Sequence, residues 1–407
     1  MVPMKILFIS SRFPSPALKG DQVILSNRLR HLSKNHDVTL LTFYQHDKEL
    51  KDLEQVRQYC VNVETVKMGK LESICIMLTL SVFSRLPFQT LYFKSDKFCH
   101  KLKQILDSTD FDLVHTCLLR MAEYSRHIDK PKVLDLIDCM QLNLGNRRAF
   151  VKHPLKMLYD EELQRIKRYE KEVLNDFDSS IVVSDTDRIY LDSEKAMTIP
   201  LGIDTDRYRR HAPLPDNRTI IFSGNMAYYP NESAILWFID NCFDLIRQRV
   251  PEVKLKIVGS NPGNTIKKYH DDKTIIVTGF VESIVDEMTT SQIAIAPMQS
   301  GYGMHIKILE AMSCGLPVVT TTSGRGTISA EHQVHLLVAD DWRSFAEACI
   351  ELLTNQSTAE SIGKNARDLI VREYGWESSV AQLERTYEAI LRKREKRNDE
   401  RKMQNFK

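Results

Sequence analysis

The chain has no CxxC pair, no apolar run long enough to cross a bilayer, no G-x-G-x-x-G fingerprint and almost no surplus of charge of either sign. Its eight cysteines, Cys60, Cys75, Cys99, Cys117, Cys139, Cys242, Cys314 and Cys349, stand singly, with no histidine at ligand spacing. That argues against structural zinc and fits free thiols in a reducing cytoplasm. A net charge of +2 over 407 residues argues against a general nucleic-acid-binding surface, so any basic attraction must be local. The longest apolar run, Leu71 to Ser84, falls short of the roughly 18 to 20 residues a spanning helix needs, and it contains Glu72. It reads as a buried helix or as one lying in a membrane surface. The opening "MVPMKILFISSRF" lacks a long apolar core and a small-residue cleavage site, and reads as a first buried strand.

What is present is a folded α/β chain. With 43% hydrophobic and 27% charged residues, and a length beyond one ordinary core, two domains are expected. Short Val- and Ile-rich runs alternate with segments of helical period, the pattern of parallel sheets. "KILFISS", "DVTLLTF", "DLVHTC", "KVLDLI", "SSIVVSD" and "AMTIPLG" are the strands expected in the first half. "TIIFSG", "KLKIVGS", "TIIVTG", "IAIAPM", "PVVTTT" and "HLLVAD" are those of the second. Two Rossmann-like, doubly wound domains follow, spanning 1–209 and 210–375. Between them, "GIDTDRYRRHAPLPDNR" carries two prolines and no apolar period, and reads as a linker. A helix over 376–407, with Val380, Leu383, Tyr387 and Ile390 at helical spacing, ends in a charged, basic tail.

In open α/β sheets ligands bind beyond the carboxyl ends of the strands, which directs attention to the turns after them. In "GYGMHIKILEAMSCGLPVV", from Gly301 to Val319, a glycine turn precedes a helix that Gly315 and Pro317 terminate. The free amides at that helix start favour an anion such as a diphosphate. Lys307 and Glu310 are three apart and share a face: Lys307 can neutralise phosphate, and Glu310 can accept hydrogen bonds from vicinal hydroxyls such as those of a ribose. A surface ion pair is the plain alternative. Gly224 ends a strand and would let a ligand approach the backbone, Asn225 offers an amide, and the backbone of Phe280 and Val281 after Gly279 could meet a base edge. In the first half, Gly20 precedes a helix and allows a turn over a pyrophosphate. His115 ends "DLVH", either as a core histidine or facing a ligand, and Asp138 closes "VLDLID" with a similar claim.

Over essentially its whole length the sequence resembles glycosyltransferase family 4 of the GT-B fold. "SGNMAYYPNESAILWF", "IPLGIDTDRY" and above all "KILEAMSCGLPVV" carry the likeness, nearest to bacterial sugar transferases of exopolysaccharide and lipopolysaccharide assembly. The resemblance implies a nucleotide-sugar donor held by the C-terminal domain, an acceptor held by the N-terminal one, and a terminal helix from Trp376 crossing back. It implies donor contacts at Gly20, Gly303, Met304 and Glu310, with Glu310 on the ribose and Gly303 and Met304 in the loop over sugar and phosphate; with the residues read above, the expected donor set is Gly20, Gly224, Asn225, Val281, Gly303, Met304, His305, Lys307 and Glu310. His115 matches the family's strand-end histidine near the donor sugar. Two positions depart from the family. Tyr302 stands where the first glutamate of its E-x7-E motif belongs, and Asn225 replaces the arginine of an Arg and Lys pair. With those cations missing, Lys307 is expected to carry the diphosphate charge, Arg325 to assist, and His115 and Lys307 to be the catalytic pair.

The implied reaction is transfer, with retention, to a hydroxyl of a glycan or polyprenyl-linked acceptor, with no metal or cofactor beyond the nucleotide-diphosphate sugar co-substrate. Lys67, Lys70, Arg85, Lys94, Lys97, Lys101 and Lys103 interleave with Phe83, Phe88, Tyr92 and Phe93. That suits peripheral contact with an anionic membrane, at the inner face of the plasma membrane, or else two ordinary amphipathic helices. A nucleotide-sugar epimerase of the same shape and a non-catalytic sugar-nucleotide-binding subunit are the competing readings.

Overall fold

The computed structural model describes residues 2–15, 20–148, 155–299 and 304–405. Two compact units result: Met1–Leu201 with Ser379–Lys407, and Gly202–Ser378. The division falls at Gly202, somewhat before the expected 209/210 boundary.

Unit 1 is built on a seven-stranded sheet. Its strands are β1 (Lys5–Ser10), β2 (Asp37–Tyr44), β3 (Asn62–Lys67), β4 (Leu113–Cys117), β5 (Lys132–Ile137), β6 (Ser179–Val182) and β7 (Ala196–Thr198). They run in the order β3-β2-β1-β4-β5-β6-β7, and every pairing is parallel. Six of these strands were expected. "NVETVK" was not, because only Val63 and Val66 of this edge strand are buried and its other positions are polar. The central strands are apolar on both faces because helices cover both sides of a parallel sheet. The helix Trp376–Asn405 belongs here: Val380, Leu383, Tyr387 and Ile390 all enter the core around Ile6, Phe8 and Leu40.

Unit 2 has six strands, β8 (Thr219–Ser223), β9 (Lys254–Val258), β10 (Ile275–Gly279), β11 (Ile293–Ala296), β12 (Val318–Thr320) and β13 (Leu337–Val338). Their order is β10-β9-β8-β11-β12-β13, again with parallel pairings. The strand order reverses between β1 and β4 in unit 1 and between β8 and β11 in unit 2. Those two switch points open crevices where ligands of such sheets bind.

Two expectations are corrected here. The segment taken as a linker is a packed part of unit 2. Ile203 and Leu214 are buried, Ile203 bridges to Gly375, and Arg367 fastens the turn through the carbonyls of Thr205 and Tyr208. Its anchors follow neither helical nor strand period, which is why the sequence conceals them. The helix Lys70–Ser81, read first as buried, buries only Ser73 completely and leaves Leu71, Ile74 and Leu78 exposed. Among the described residues no helix is long and apolar enough to cross a membrane.

Candidate functional site

The helix Ile306–Ser313 follows β11 at the switch point of unit 2, and a short, sharp stop fixes its length. Gly315 takes φ +65°, its N–H donates to the Met312 carbonyl at 2.9 Å, and the Leu316 N–H reaches back to Ala311 at 3.0 Å. These are the two bonds of a Schellman stop, so the helix is anchored at its far end and presents its first turns to the strand ends. Ile308, Leu309, Ala311 and Met312 are buried in the unit 2 core. That orients Lys307 and Glu310 on the partly covered remainder.

Lys307 does not pair with Glu310. Its Nζ donates to Asn231 Oδ1 at 2.7 Å and lies 4.1 Å from the centroid of the Phe222 ring. Asn231 sits on the helix Tyr229–Phe238, and its own Nδ2 donates to the Asn225 carbonyl at 2.9 Å. Burial pushes the Lys307 ammonium down to about 7, and the charge of Glu310 only partly opposes this. Glu310 in turn accepts from the Tyr208 hydroxyl at 2.7 Å, and its own burial raises its pKa. Tyr208 comes from the segment once read as a linker. Its carbonyl is tied by Ser313 Oγ at 2.8 Å and by Arg367, so its ring is held against the helix.

Backbone approach is close at this point. Gly224 adopts φ +152°, and a Cβ there would lie 2.8 Å from Asn231 Nδ2 and 3.1 Å from Lys307 Nζ. Gly259, just beyond β9, has φ +143°, and a Cβ there would come within 1.8 Å of the Gly224 carbonyl. The Asn225 side chain accepts from the Ala227 N–H at 3.1 Å. His305 precedes the helix as its N-cap residue. Among the described residues its Nε2 is buried without a hydrogen-bond partner, and burial with the nearby Lys307 lowers its pKa to about 4, so the imidazole is neutral. Met304 and Val281 are half-buried against the unit 2 core, while Phe280 is exposed. Arg325, at the end of Thr322–Arg325, has its Nε buried and without a partner among the described residues. The expectations at Tyr302 and Gly303 fall outside the described residues.

In unit 1 His115 takes the first of its two readings, a core histidine, and its expected place in a catalytic pair with Lys307 is corrected. β4 runs on to Cys117, so His115 is inside the strand, wholly buried and stacked on Phe8 with ring centroids 4.2 Å apart. Its Nδ1 shares a hydrogen bond with the Tyr387 hydroxyl at 2.7 Å, and its Nε2 lies 3.3 Å from Asp135 Oδ2. Burial, with the positive charge of Arg28, holds it well below its ordinary pKa. It is a neutral core histidine with no side open to a ligand. His115, Cys117 and Asp135 bring their ligand atoms within 4.8 Å of one another, but the buried Arg28 guanidinium is ion-paired with that same carboxylate. A cation there would meet a fixed positive charge.

Gly20 caps the helix Asp21–Leu32 with φ +71° and open space where a Cβ would lie. Beside it Asp21 binds Arg12 at 3.3 Å and Arg120 at 3.2 Å, and Arg120 Nε also donates to Ser11. Sequence reasoning missed both arginines as well as Asn231 and Tyr208. Asp138 follows β5 and is partly exposed.

Two open parallel sheets with ligand-facing switch points, the second carrying Lys307 and Glu310, define the architecture of GT-B glycosyltransferases. Residues 217–355, inside unit 2, match the family described as "Glycosyl transferases group 1". An uncharacterised 44.6 kDa protein of the cps region of Klebsiella pneumoniae is 25% identical over 396 residues, covering 91% of this chain and 96% of its own length. A GDP-mannose-dependent α-(1-6)-phosphatidylinositol monomannoside mannosyltransferase of Mycobacterium tuberculosis is 25% identical over 211 residues, 46% of this chain and 54% of that protein. Anabaena HepE, solved in complex with UDP, superposes with a TM-score of 0.68 over 95% of this chain and 100% of its own, at 17% identity.

Proposed function

We propose that the chain is a retaining glycosyltransferase that moves a sugar from a nucleoside-diphosphate donor to a hydroxyl of a glycan or lipid-linked acceptor. In this reading unit 2 holds the donor, unit 1 the acceptor, and the work is cell-surface polysaccharide assembly. One observation carries it: a largely buried lysine with no carboxylate partner among the described residues waits at the switch point, beside the close-approach Gly224 and near a tyrosine-held glutamate. A buried cation without a counter-anion is costly unless a ligand supplies one. A diphosphate does so, and Glu310 is placed for a ribose. The cps-region origin of one relative, the GDP-mannose dependence of another and the UDP bound in HepE support the same class of donor.

In the reaction the bond from the anomeric carbon to the diphosphate oxygen breaks as the acceptor oxygen bonds to the same face. The acceptor proton passes to the departing phosphate oxygen, so no protein base is required. Lys307, charged when the diphosphate is bound, stabilises the leaving group without a metal ion. Arg325 is the nearest candidate helper in sequence, and His305 contributes a neutral imidazole next to the phosphate site. The protein works in the cytoplasm, in peripheral contact with the inner face of the plasma membrane, where a polyprenyl-linked acceptor would be presented.

Thermal denaturation with uridine, guanosine and adenosine diphosphates tests the donor site. One of the three should stabilise the chain by about 2.7 kcal/mol at a hundred times its dissociation constant. No stabilisation by any of them would overturn the reading. Incubation with nucleotide sugars then separates chemistries, since free nucleotide released only with acceptor means transfer and an altered sugar on intact nucleotide means epimerisation.

Tyr208→Phe should act on binding rather than turnover. Losing one hydrogen bond to Glu310 is expected to raise the donor KM about 5- to 10-fold, corresponding to roughly 1 kcal/mol, with kcat nearly unchanged. An equal loss in kcat would place Tyr208 in the chemical step instead.

A further inference from the structure

The helix Lys70–Ser81 turns its half-buried residues Ile76, Met77 and Leu80 and its buried Ser73 to one side. The other side is also apolar. Leu71, Ile74, Leu78 and Val82 recur at intervals of three and four, so they form one stripe, and their exposures are 80%, 40%, 59% and 75%. Phe83 follows at 85%, the most exposed large apolar residue of the group. Soluble surfaces scatter such residues singly, and a continuous row of five marks a contact. The helix is firmly seated: Arg165, on the helix Leu155–Val173, donates to the carbonyls of Ser81, Ser84 and Leu86 at 3.1, 2.8 and 3.2 Å.

Two observations choose the occupant. Covering this single stripe buries on the order of 500 Å², short of the ~800 Å² per partner of a stable protein interface. Its ends, moreover, carry exposed cations, Lys70 at the first turn and Arg85 after the last, with Glu72 alone as an acidic neighbour along the helix. A narrow apolar row between snorkelling cations matches the plane of an anionic bilayer, not a protein groove. By contrast, two of the lysines that suggested a basic membrane face are engaged elsewhere, Lys67 with Asp47 and Lys101 with Glu64.

We propose that this stripe, Leu71, Ile74, Leu78, Val82 and Phe83, inserts into the surface of an anionic phospholipid bilayer, with Lys70 and Arg85 at its headgroups. This deepens the membrane contact proposed above and rests on it, but it replaces a mainly electrostatic attachment by shallow apolar insertion.

Flotation of the full chain with vesicles of phosphatidylcholine and phosphatidylglycerol tests it at low and high salt. The wild-type protein should float in both, with a partial loss at high salt. Leu78→Glu with Val82→Glu, both at exposed positions, should lower the vesicle-bound fraction at least tenfold at either salt. Failure of the wild type to float, flotation of the double variant at the wild-type level, or complete release at high salt would each overturn the inference. So would a dimer in sedimentation that the same double variant abolishes, because a second copy would then be the occupant. Stabilisation by a nucleoside diphosphate, measured on the same samples, keeps the readings apart: binding nucleotide without floating sinks the insertion and the peripheral contact it rests on but leaves the donor site standing, whereas complete release at high salt sinks the insertion and keeps an electrostatic contact.

Discussion

Replacing Lys307 with alanine is expected to lower turnover by about 10²- to 10³-fold, the loss seen when one preorganised group stabilising developing negative charge is removed. The size of the effect follows from where the lysine stands. No other lysine or arginine of the described residues is placed both beside Gly224 and on the first turn of the helix after β11, so in the proposed reaction the departing diphosphate would lose its counter-charge there. The fold should survive. Among the described residues Lys307 has no carboxylate partner to strand, and its removal relieves the cost of burying a cation. Stability itself reports this. The folded chain holds Lys307 at about 7 and the unfolded chain near 10.5, so between those values the unfolded state binds more protons and stability rises with pH. Chemical denaturation of wild type and variant at neutral and alkaline pH should show that rise in the first and a smaller one in the second. A Lys307→Ala protein with wild-type kcat would remove the lysine from the chemistry.

Gly259→Ala should be the most damaging single methyl in unit 2. The new Cβ would sit 1.8 Å from the Gly224 carbonyl, on backbone that cannot rotate away, and φ +143° is itself strained for any residue with a side chain. Relief requires the β9 and β8 ends to separate. That breaks the Gly224 N–H bond to Val258 at 3.0 Å and crowds Gly259 against β10, to which its N–H bonds at Gly279 at 2.9 Å. A loss of roughly 3 kcal/mol or more is expected from strain and overpacking together, together with loss of nucleotide binding. Gly263→Ala is the matched control. A Cβ there meets only side-chain atoms of Glu232 and Thr265, the nearest at 3.4 Å, and it should leave both stability and binding intact. Equal behaviour of the two variants in denaturant titration would contradict the geometry.

The parts of this account that were legible in the sequence share a physical cause. Buried parallel strands must be Val- and Ile-rich, so both sheets could be read, and a Gly–Leu–Pro stop after a periodic run had to end the helix of Lys307. Edge strand β3 escaped because it buries only two side chains. The site itself was half legible. Lys307 and Glu310 declare themselves by spacing, but the atoms that set their behaviour are distant in the chain, Asn231 by 76 residues and Tyr208 by 102. Tyr208 was hidden further by lying in a Pro- and Arg-rich stretch that looks solvated and in fact packs. His115 shows the converse limit. Its strand was identified correctly, yet the difference between the last residue of a strand and the third is the difference between a ligand-facing side chain and one shut between Phe8, Asp135 and Tyr387. The helix after Gly69 was misjudged because apolar composition alone does not say which side is covered.

The central claim is that Lys307 binds the donor diphosphate as a cation. Free, its ammonium titrates near 7; bound to an anion it must titrate higher, so binding takes up a proton above neutrality. Isothermal titration of the stabilising nucleoside diphosphate from pH 6 to about 9 measures this directly. Affinity in the wild type should be greatest at or below neutral pH and fall by up to about tenfold per pH unit above it, with proton uptake, while Lys307→Met binds weakly without that fall. Equal affinity and the same pH profile in wild type and Lys307→Met would contradict the account.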